Sequence, residues 1–435
     1  MSEKRQHPLG LVSASAFDDR ASTTSSAPGQ PGLIDRKLVG LISARCNHPP
    51  VRIVLWDGHT GWDPGPDSIG SVIFRDRGAL WATIWEPELG FGDMFSAGRI
   101  VIEGNLIRVL FAVFRSADTQ NPKAFKRNWF GRLPKAATNT FAGSRRHIEH
   151  HYDLGNDFYR LWLDERMVYT CAYYPTQQTT LEQAQVAKMD HVARKLELKP
   201  GMDVVEAGCG WGALAIHMAK HFGVQVKAFN ISREQLEFAR SEAKRQGLAS
   251  KVKFIEEDYR NIAESCDAFV SVGMLEHVGV DNYAELGRVV ARVLRRDAKG
   301  LIHSVGRARP TAPNAWLENR IFPGSYPPCI GEMMGIFEPF NLSVIDIENL
   351  RLHYARTLTE WLERFDAHAD QVEAMYDTAF VQAWRLYLGG CAASFLSSST
   401  QLYQVLFSRP DNNKVSMTRA HLYSGSEAVR WDAEL

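Results

Sequence analysis

The feature that most constrains the fold is a glycine-rich loop between an apolar segment and a helical one. Residues 204–212 read Val-Val-Glu-Ala-Gly-Cys-Gly-Trp-Gly, and Ala213–Phe222 has the apolar spacing of a helix. Glycine is needed where a backbone turns tightly and approaches a ligand, because a Cβ atom would be in the way. A strand, a glycine turn and a helix in this order predict that a nucleotide-like ligand binds at the end of the strand.

The residues around the loop distinguish between cofactors. Glu206 precedes the loop, where its carboxylate suits a cationic ammonium or sulfonium group and repels a pyrophosphate. Roughly 20 residues further on, Asn230 stands where dinucleotide enzymes carry the acidic residue that binds a ribose. Asp258 and Tyr259 follow the next predicted strand and suit the edge and face of an adenine. Together these residues favour S-adenosylmethionine over a nicotinamide cofactor.

The chain beyond residue 180 alternates between strand and helix patterns. The predicted strands are 203–206, 225–229, 252–256, 268–272, 300–304 and 402–407, and the predicted helices between them include 213–222, 233–246 and 283–293. Strands separated by helices indicate an α/β fold with a parallel sheet covered by helices on both faces.

Composition divides the chain into four predicted parts: a disordered tail over 1–32, a small α/β module over 33–114, a basic and aromatic linker over 115–145, and a catalytic domain over 146–435. The tail is rich in Ser, Ala, Thr, Gly and Pro, which bury too little surface to offset the entropy of ordering. In the module, Val51–Trp56 and Ser71–Phe74 have the pattern of short strands. The module is expected to contact lipid or to form a dimer.

Residues 115–148 carry eight basic residues against one acid, with four aromatic residues among them. This composition is typical of a segment on an anionic membrane surface. A solvated linker whose aromatic rings pack on its neighbours fits the composition equally well, and the sequence leaves both open.

Charge and cysteine content exclude several classes of protein. The formal net charge is zero, so no partner in the form of nucleic acid is predicted. The six cysteines form no CxxC pair, which argues against a disulfide framework and a zinc site, and no metal is predicted. Since no signal peptide and no membrane-spanning run are evident, we expect a cytoplasmic protein.

The chain resembles the cyclopropane fatty acid synthases and their mycolic acid relatives. Besides the loop, the matching segments are His150–Tyr159, Tyr169–Tyr173, Asn230–Gln235, Asp258–Arg260, Ser271–His277, Leu301–Gly306, Ile321–Gly324 and Gln401–Arg409. Gly90–Phe95 and Ile102–Gly104 also resemble the N-terminal module of the branch that acts on bacterial phospholipids.

This resemblance implies a reaction and the residues that perform it. A methyl group passes from S-adenosylmethionine to a cis double bond of an acyl chain, and a bound bicarbonate ion then removes a proton as the ring closes. The residues that the family uses to hold bicarbonate correspond here to Cys171, Glu276, His303, Val305 and Tyr354. The implied fold is a Rossmann-like class I methyltransferase sheet with a helical substrate roof.

The same resemblance implies the contacts to the methyl donor. They fall on Tyr169, Thr170, Glu206, Gly208, Cys209, Gly210, Gly212, Asn230, Gln235, Asp258, Tyr259 and Val272. Taken singly, the proposed bicarbonate ligands also have ordinary explanations. Cys171 could be a buried small residue, His303 a satisfied strand-end histidine and Glu276 an acid at a helix N-terminus.

Residues 356–397 carry apolar side chains at helical spacing, which normally indicates core. Helices before the last strand of a methyltransferase sheet often cover the substrate, so Trp384 and Phe395 are predicted to contact a fatty acyl chain.

The leading hypothesis is therefore a synthase acting on unsaturated phospholipid acyl chains, peripherally associated with the inner leaflet of the membrane, with a homodimer as the candidate assembly. A fatty acid C-methyltransferase that gives a methyl-branched or methylene product is the first alternative. A small-molecule N- or O-methyltransferase and a non-catalytic lipid-binding protein are the other two.

Overall fold

The computed structural model describes residues 7–11, 30–117 and 154–423. The predicted linker, apart from residues 115–117, lies outside the described residues, as does most of the predicted tail. No helix in the described ranges is long and apolar enough to cross a membrane.

The N-terminal module has a four-stranded sheet in the order β2-β1-β3-β4. Its strands are β1 (Arg52–Val54), β2 (Thr60–Trp62), β3 (Ser71–Phe74) and β4 (Ile100–Glu103). Its helices are α1 (Leu33–Arg45), α2 (Arg77–Trp85), α3 (Pro87–Ser96) and α4 (Leu106–Ala117). The sequence patterns predict β1 and β3 but miss β2, β4 and α3, which are too short or too irregular in period to be recognised.

A second, seven-stranded sheet forms the centre of the larger domain, in the order β10-β11-β9-β8-β5-β6-β7. The strands are β5 (Asp203–Ala207), β6 (Gln225–Asn230), β7 (Val252–Glu256), β8 (Cys266–Val272), β9 (Leu294–Gly306), β10 (Ser343–Asn349) and β11 (Gln401–Ser408). Strands β5 to β9 pair in parallel, whereas β11 pairs antiparallel with both β9 and β10.

Helices cover both faces of this sheet, so the predicted α/β fold class is confirmed. They are α5 (Asn156–Arg160), α6 (Leu181–Lys195), α7 (Ala213–His221), α8 (Arg233–Arg245), α9 (Tyr283–Val293), α10 (Ala315–Arg320), α11 (Ile330–Phe337), α12 (Arg351–Ala367), α13 (Ala369–Met375) and α14 (Thr378–Leu396).

Side-chain caps fix where the helices around the site begin. Thr180 accepts a hydrogen bond from the Gln183 amide at the start of α6, and Asp377 accepts from the Phe380 amide at the start of α14. Each cap satisfies a donor that the helix itself leaves unpaired. Helix α14 then packs against α12 and against α3 and α4 of the N-terminal module, which joins the module to the larger domain.

Residues 7–11 correct the prediction of a disordered tail for this short stretch. Leu9 and Leu11 are buried in the same hydrophobic cluster as the module and α14. Arg320 holds the stretch in place because it donates to the Gly10 carbonyl (2.9 Å) while its other nitrogens pair with Asp93. Two leucines in a polar segment are too weak a pattern to predict this burial from the sequence.

Candidate active site

A cavity of about 1530 Å³ begins at the carboxyl end of β5 and continues between α12, α14 and the N-terminal module. The glycine loop lines one end of the cavity. Leu358, Leu386 and Phe395 line its middle, and Val109 and Val113 of α4 line the wall given by the module. Much of the lining is apolar, polar residues stand beside the loop, and charged side chains such as Arg45, Glu88 and Arg307 also contribute.

The glycine loop has the backbone that its composition predicts. Gly208, Gly210 and Gly212 all have positive φ (81°, 52° and 83°), a region that other residues adopt only with strain. The amides of Gly208 and Cys209 donate to the Phe229 carbonyl on β6, at 2.9 and 3.1 Å. The turn is therefore tied to the neighbouring strand and open on its other side.

Gly210 and Gly212 serve different purposes. A Cβ atom on Gly212 would lie 2.7 Å from Ala239 and Phe254, whereas one on Gly210 would have nothing within 4 Å. We expect Gly212→Ala to lower the free energy of unfolding by about 1–3 kcal/mol, because backbone strain and crowding add. Gly210→Ala should cost less stability but weaken the binding of S-adenosylhomocysteine, because its methyl group points into open space at the loop.

Denaturant unfolding and calorimetric titration of the two variants separate these effects. Equal losses of ligand affinity in both variants, after correction for unfolded protein, would contradict the distinction.

Glu206 and Lys188 place two buried ionisable groups beside the loop. Both side chains line the cavity and both residues are 2% exposed. Burial raises the pKa of Glu206 to about 8, although the ammonium of Lys188 acts to lower it. Burial lowers the pKa of Lys188 to about 8, against the pull of Cys171, Asp164 and Glu206. A ligand with its own charges would change the protonation of this pair.

Asn230 and Gln235 continue the polar end of the cavity. The Asn230 side-chain nitrogen donates to the Gly210 carbonyl (3.3 Å) and to Oε1 of Gln235 (2.8 Å), while its oxygen accepts from the Ile231 amide (2.8 Å). Asn230 therefore braces the loop from the end of β6. Nε2 of Gln235 is buried and has no partner among the described residues, which leaves a donor for a ligand.

Most of the residues that are predicted to contact the methyl donor line the cavity. They are Tyr169, Thr170, Glu206, Gly208, Cys209, Gly210, Asn230, Gln235 and Val272. Gly212, Asp258 and Tyr259 do not line it, and Asp258 instead caps the turn at Arg260. The predicted ligand contacts of these three residues stay predictions.

Two of the predicted bicarbonate ligands meet in a direct hydrogen bond. Oε1 of Glu276 accepts from the Val305 amide at 2.6 Å, and both residues line the cavity with Tyr354. Oε2 of Glu276 is buried with no partner in the described part of the chain. Burial raises the pKa of Glu276 to about 7, against the lowering effect of hydrogen bonds such as that from Val305.

His303 lies two residues before Val305 on β9 and does not line the cavity. The Gln404 amide of β11 donates to Nδ1 of His303 (3.0 Å), which leaves the proton on Nε2. That Nε2 atom is buried and finds no partner among residues 7–11, 30–117 and 154–423. Burial holds the pKa of His303 well below its usual range, so the ring is a neutral donor.

Cys171 is fully buried and also lies outside the cavity lining. Its thiol donates to the Ala172 carbonyl at 3.1 Å, and burial raises the thiol pKa, so it is no nucleophile. Cys171 could therefore hold bicarbonate, as predicted, only through its backbone. Tyr354 packs on Phe395, with ring centroids 4.8 Å apart.

The two aromatic residues predicted to contact an acyl chain differ in their surroundings, and for Phe395 the contact stays a prediction. Phe395 lines the cavity, but Trp384 is completely buried in core and stacks on Phe380 at 5.5 Å. The acyl contact predicted for Trp384 is therefore wrong. Helical periodicity assigns a residue to the buried face of a helix but does not say whether that face meets protein or a cavity.

Because Trp384 lies in the core and Phe395 lines the cavity, their alanine variants should have different effects. Trp384→Ala should lower the free energy of unfolding by about 3–5 kcal/mol, as for other buried tryptophans. Phe395→Ala should raise KM for an acyl substrate while leaving affinity for S-adenosylhomocysteine unchanged. Thermal unfolding and steady-state kinetics check the pair, and a stable Trp384→Ala enzyme with a selective acyl defect would contradict it.

Sequence reasoning missed two features of the site. Lys188 stands inside a helix whose other residues read as ordinary core and surface, and no motif marks it. The module wall at Val109 and Val113 was also missed, although a strongly amphipathic α4 with no obvious partner was the available signal.

The fold and the site define a class of protein. The strand order, with one antiparallel strand near the edge, and the acid before the glycine loop are those of class I S-adenosylmethionine-dependent methyltransferases. Coclaurine N-methyltransferase has the same fold, with a TM-score of 0.57 over 73% of this chain and 97% of that one, at 21% identity.

A sequence profile described as mycolic acid cyclopropane synthetase matches residues 141–405. The chain belongs to this family. A probable fatty acid methyltransferase of Pseudomonas putida is 33% identical over 86% of this chain and 97% of the relative. The cyclopropane-fatty-acyl-phospholipid synthase of Escherichia coli K12 is 38% identical over 62% of this chain and 69% of its own length.

The structures of mycobacterial relatives agree with this assignment. The mycolic acid cyclopropane synthase CmaA1, complexed with SAH and CTAB, has a TM-score of 0.58 at 28% identity and covers 61% of this chain and 98% of its own. The chain is thus an S-adenosylmethionine-dependent methyltransferase of the cyclopropane synthase type.

Proposed function

We propose that the chain is a cyclopropane-fatty-acyl-phospholipid synthase that adds a methylene group to the cis double bond of an unsaturated acyl chain. The observation that carries this proposal is that one cavity is lined by the glycine loop, by Glu276 and Val305, and by apolar residues of α4, α12 and α14. An acyl chain in the apolar part brings its double bond to the polar end, where the methyl group is delivered.

The chemistry places clear demands on the site. The π electrons of the alkene form a new C–C bond as the C–S bond of the sulfonium breaks, and its electron pair stays on sulfur. The second alkene carbon is left as a cation. The transferred methyl group then loses a proton, and the electrons of that C–H bond close the ring. Aromatic faces such as that of Tyr354 favour the passing cation.

The residues present fit a bound bicarbonate ion, which would supply the base for the proton. Nε2–H of His303 is an unpaired buried donor, and Oε2 of Glu276 is an unpaired buried acceptor. The Val305 amide donates to Glu276, and Val305 lies two residues after His303 on β9. An ion with one acidic hydroxyl and two acceptor oxygens has the groups that would pair with each of these atoms.

The site of action is proposed to be the membrane surface, reached from the cytoplasm. One support is the basic and aromatic composition of residues 115–148. The other is that the N-terminal module, which lies outside the part of the chain matched by the family profile, forms one wall of the cavity.

A fatty acid C-methyltransferase is the second candidate, because the Pseudomonas putida relative with that probable activity matches 86% of this chain, which is more than the predicted catalytic domain alone. Its first step is the same, but the cation ends as a methyl branch or a methylene.

Incubation of the protein with unsaturated phospholipid vesicles and S-adenosylmethionine tests the proposal. A mass gain of one CH₂ with cyclopropyl proton signals is expected, and vesicles of saturated phospholipid are the matched control. Vinylidene or methyl-branch signals would favour the second candidate, and no lipid product would contradict both.

A further inference from the structure

Lys188 differs from the other buried lysines of the described residues. Three lysines are buried there, namely Lys188, Lys195 and Lys299. Lys195 pairs with Glu348 (2.6 Å), and Lys299 pairs with Glu197. Nζ of Lys188 makes one hydrogen bond within the described part of the chain, to Oγ1 of Thr170 at 2.9 Å. A buried ammonium group without an ion pair is costly, so an anion is expected to complete this site.

The nearby acids Asp164 and Glu206 act on Lys188 electrostatically, but neither forms an ion pair with it among the described residues. Asp164 uses its two oxygens on the amides of Val168 (2.8 Å) and Arg166 (3.2 Å). Glu206 lines the same cavity, its Oε2 is buried without a hydrogen-bond partner among the described residues, and within that part of the chain no hydrogen bond or ion pair joins its side chain to Lys188. The cavity therefore presents a separate cationic and anionic group at its polar end.

Thr170 extends the reach of Lys188. Its Oγ1 atom accepts from Nζ, so its own O–H remains free to donate into the cavity that both residues line. A donor hydroxyl polarised by an ammonium group suits a carboxylate. The ammonium group of Lys188 and the carboxyl group of Glu206, which the ammonium of a ligand would keep ionised, match the two charges of a zwitterionic amino acid.

We propose that Lys188, acting with the Thr170 hydroxyl, binds the α-carboxylate of the amino-acid end of the methyl donor, while Glu206 faces its ammonium group. This inference rests on the part of the proposed function in which S-adenosylmethionine is the methyl donor. It does not depend on the identity of the lipid or of the product.

A thermodynamic cycle between protein and ligand tests it. Calorimetry measures the binding of S-adenosylhomocysteine and of its decarboxylated analogue to the wild type and to Lys188→Met. The wild type should lose at least about tenfold in affinity without the carboxylate, as expected for a hydrogen-bonded charge pair. Lys188→Met should bind both ligands with equal, weakened affinity. Full wild-type discrimination in Lys188→Met would overturn the inference.

Thr170 provides matched variants that keep the buried charge. Thr170→Val should lose part of the discrimination between the two ligands, and Thr170→Ser should retain it. Thermal unfolding verifies that each variant is folded. If Lys188→Met kept its affinity for S-adenosylhomocysteine but needed more bicarbonate for activity, Lys188 would serve bicarbonate and the inference would be wrong. Normal carboxylate discrimination without any cyclopropane product would overturn the lipid proposal alone.

Discussion

Glu276→Gln is expected to reduce the rate of cyclopropane formation by about a hundredfold or more, with affinity for S-adenosylhomocysteine unchanged. The glutamine can still accept from the Val305 amide through Oε1, so the local backbone is preserved. Its second group becomes an NH₂ donor where the glutamate offers Oε2 as a buried acceptor. A bicarbonate hydroxyl would then lose its partner.

The pH dependence gives the same variant a second readout. Because burial raises the pKa of Glu276 to about 7, the carboxyl group is mostly neutral below this pH and ionised above it. If the ionised form accepts the hydroxyl, the wild-type rate should rise with pH through about 7. Glu332→Gln, which changes a glutamate outside the cavity lining, is the control. An unchanged rate in Glu276→Gln would contradict the assignment.

His303→Ala is expected to raise the bicarbonate concentration for half-maximal activity by about tenfold or more. A hydrogen bond to a charged group is worth about 1.5–3 kcal/mol, which corresponds to this range. His303 offers Nε2–H because Gln404 donates to its other ring nitrogen. Excess bicarbonate should restore part of the activity of the variant.

Gln404→Ala tests the hydrogen bond from His303 to bicarbonate indirectly, because Gln404 contacts His303 and not the ion. It removes the group that fixes the proton on Nε2, so it should weaken the bicarbonate response less than His303→Ala. A loss of activity in His303→Ala that bicarbonate cannot relieve, with an unchanged half-saturating concentration, would argue for a purely structural histidine.

The sequence predicted the fold well, and it predicted many of the residues that line the cavity, for physical reasons. Val204–Gly212 constrains the backbone so tightly that strand, turn and helix follow from it, and the structure gives Gly208, Gly210 and Gly212 the positive φ that the composition requires. Glu276, Val305 and Tyr354 line the cavity as expected from their segments. These are local consequences of residue type and order.

What could not be predicted depends on contacts between distant parts of the chain. Trp384 and Phe395 share one helix and one apolar pattern, yet only Phe395 meets the cavity. Lys188 gains its meaning from Thr170, 18 positions away, and from the other buried lysines that do form ion pairs. Leu9 and Leu11 are buried because Arg320 holds the chain between them. Such relations exist only in the folded structure.

The central claim is that the transferred methyl group loses one proton as a ring closes on the acyl double bond. Turnover with S-adenosylmethionine that carries three deuterium atoms on the methyl group measures this directly. A cyclopropyl product that contains two of the three deuterium atoms is expected. A methyl-branched product that keeps all three, or no labelled lipid at all, would contradict it.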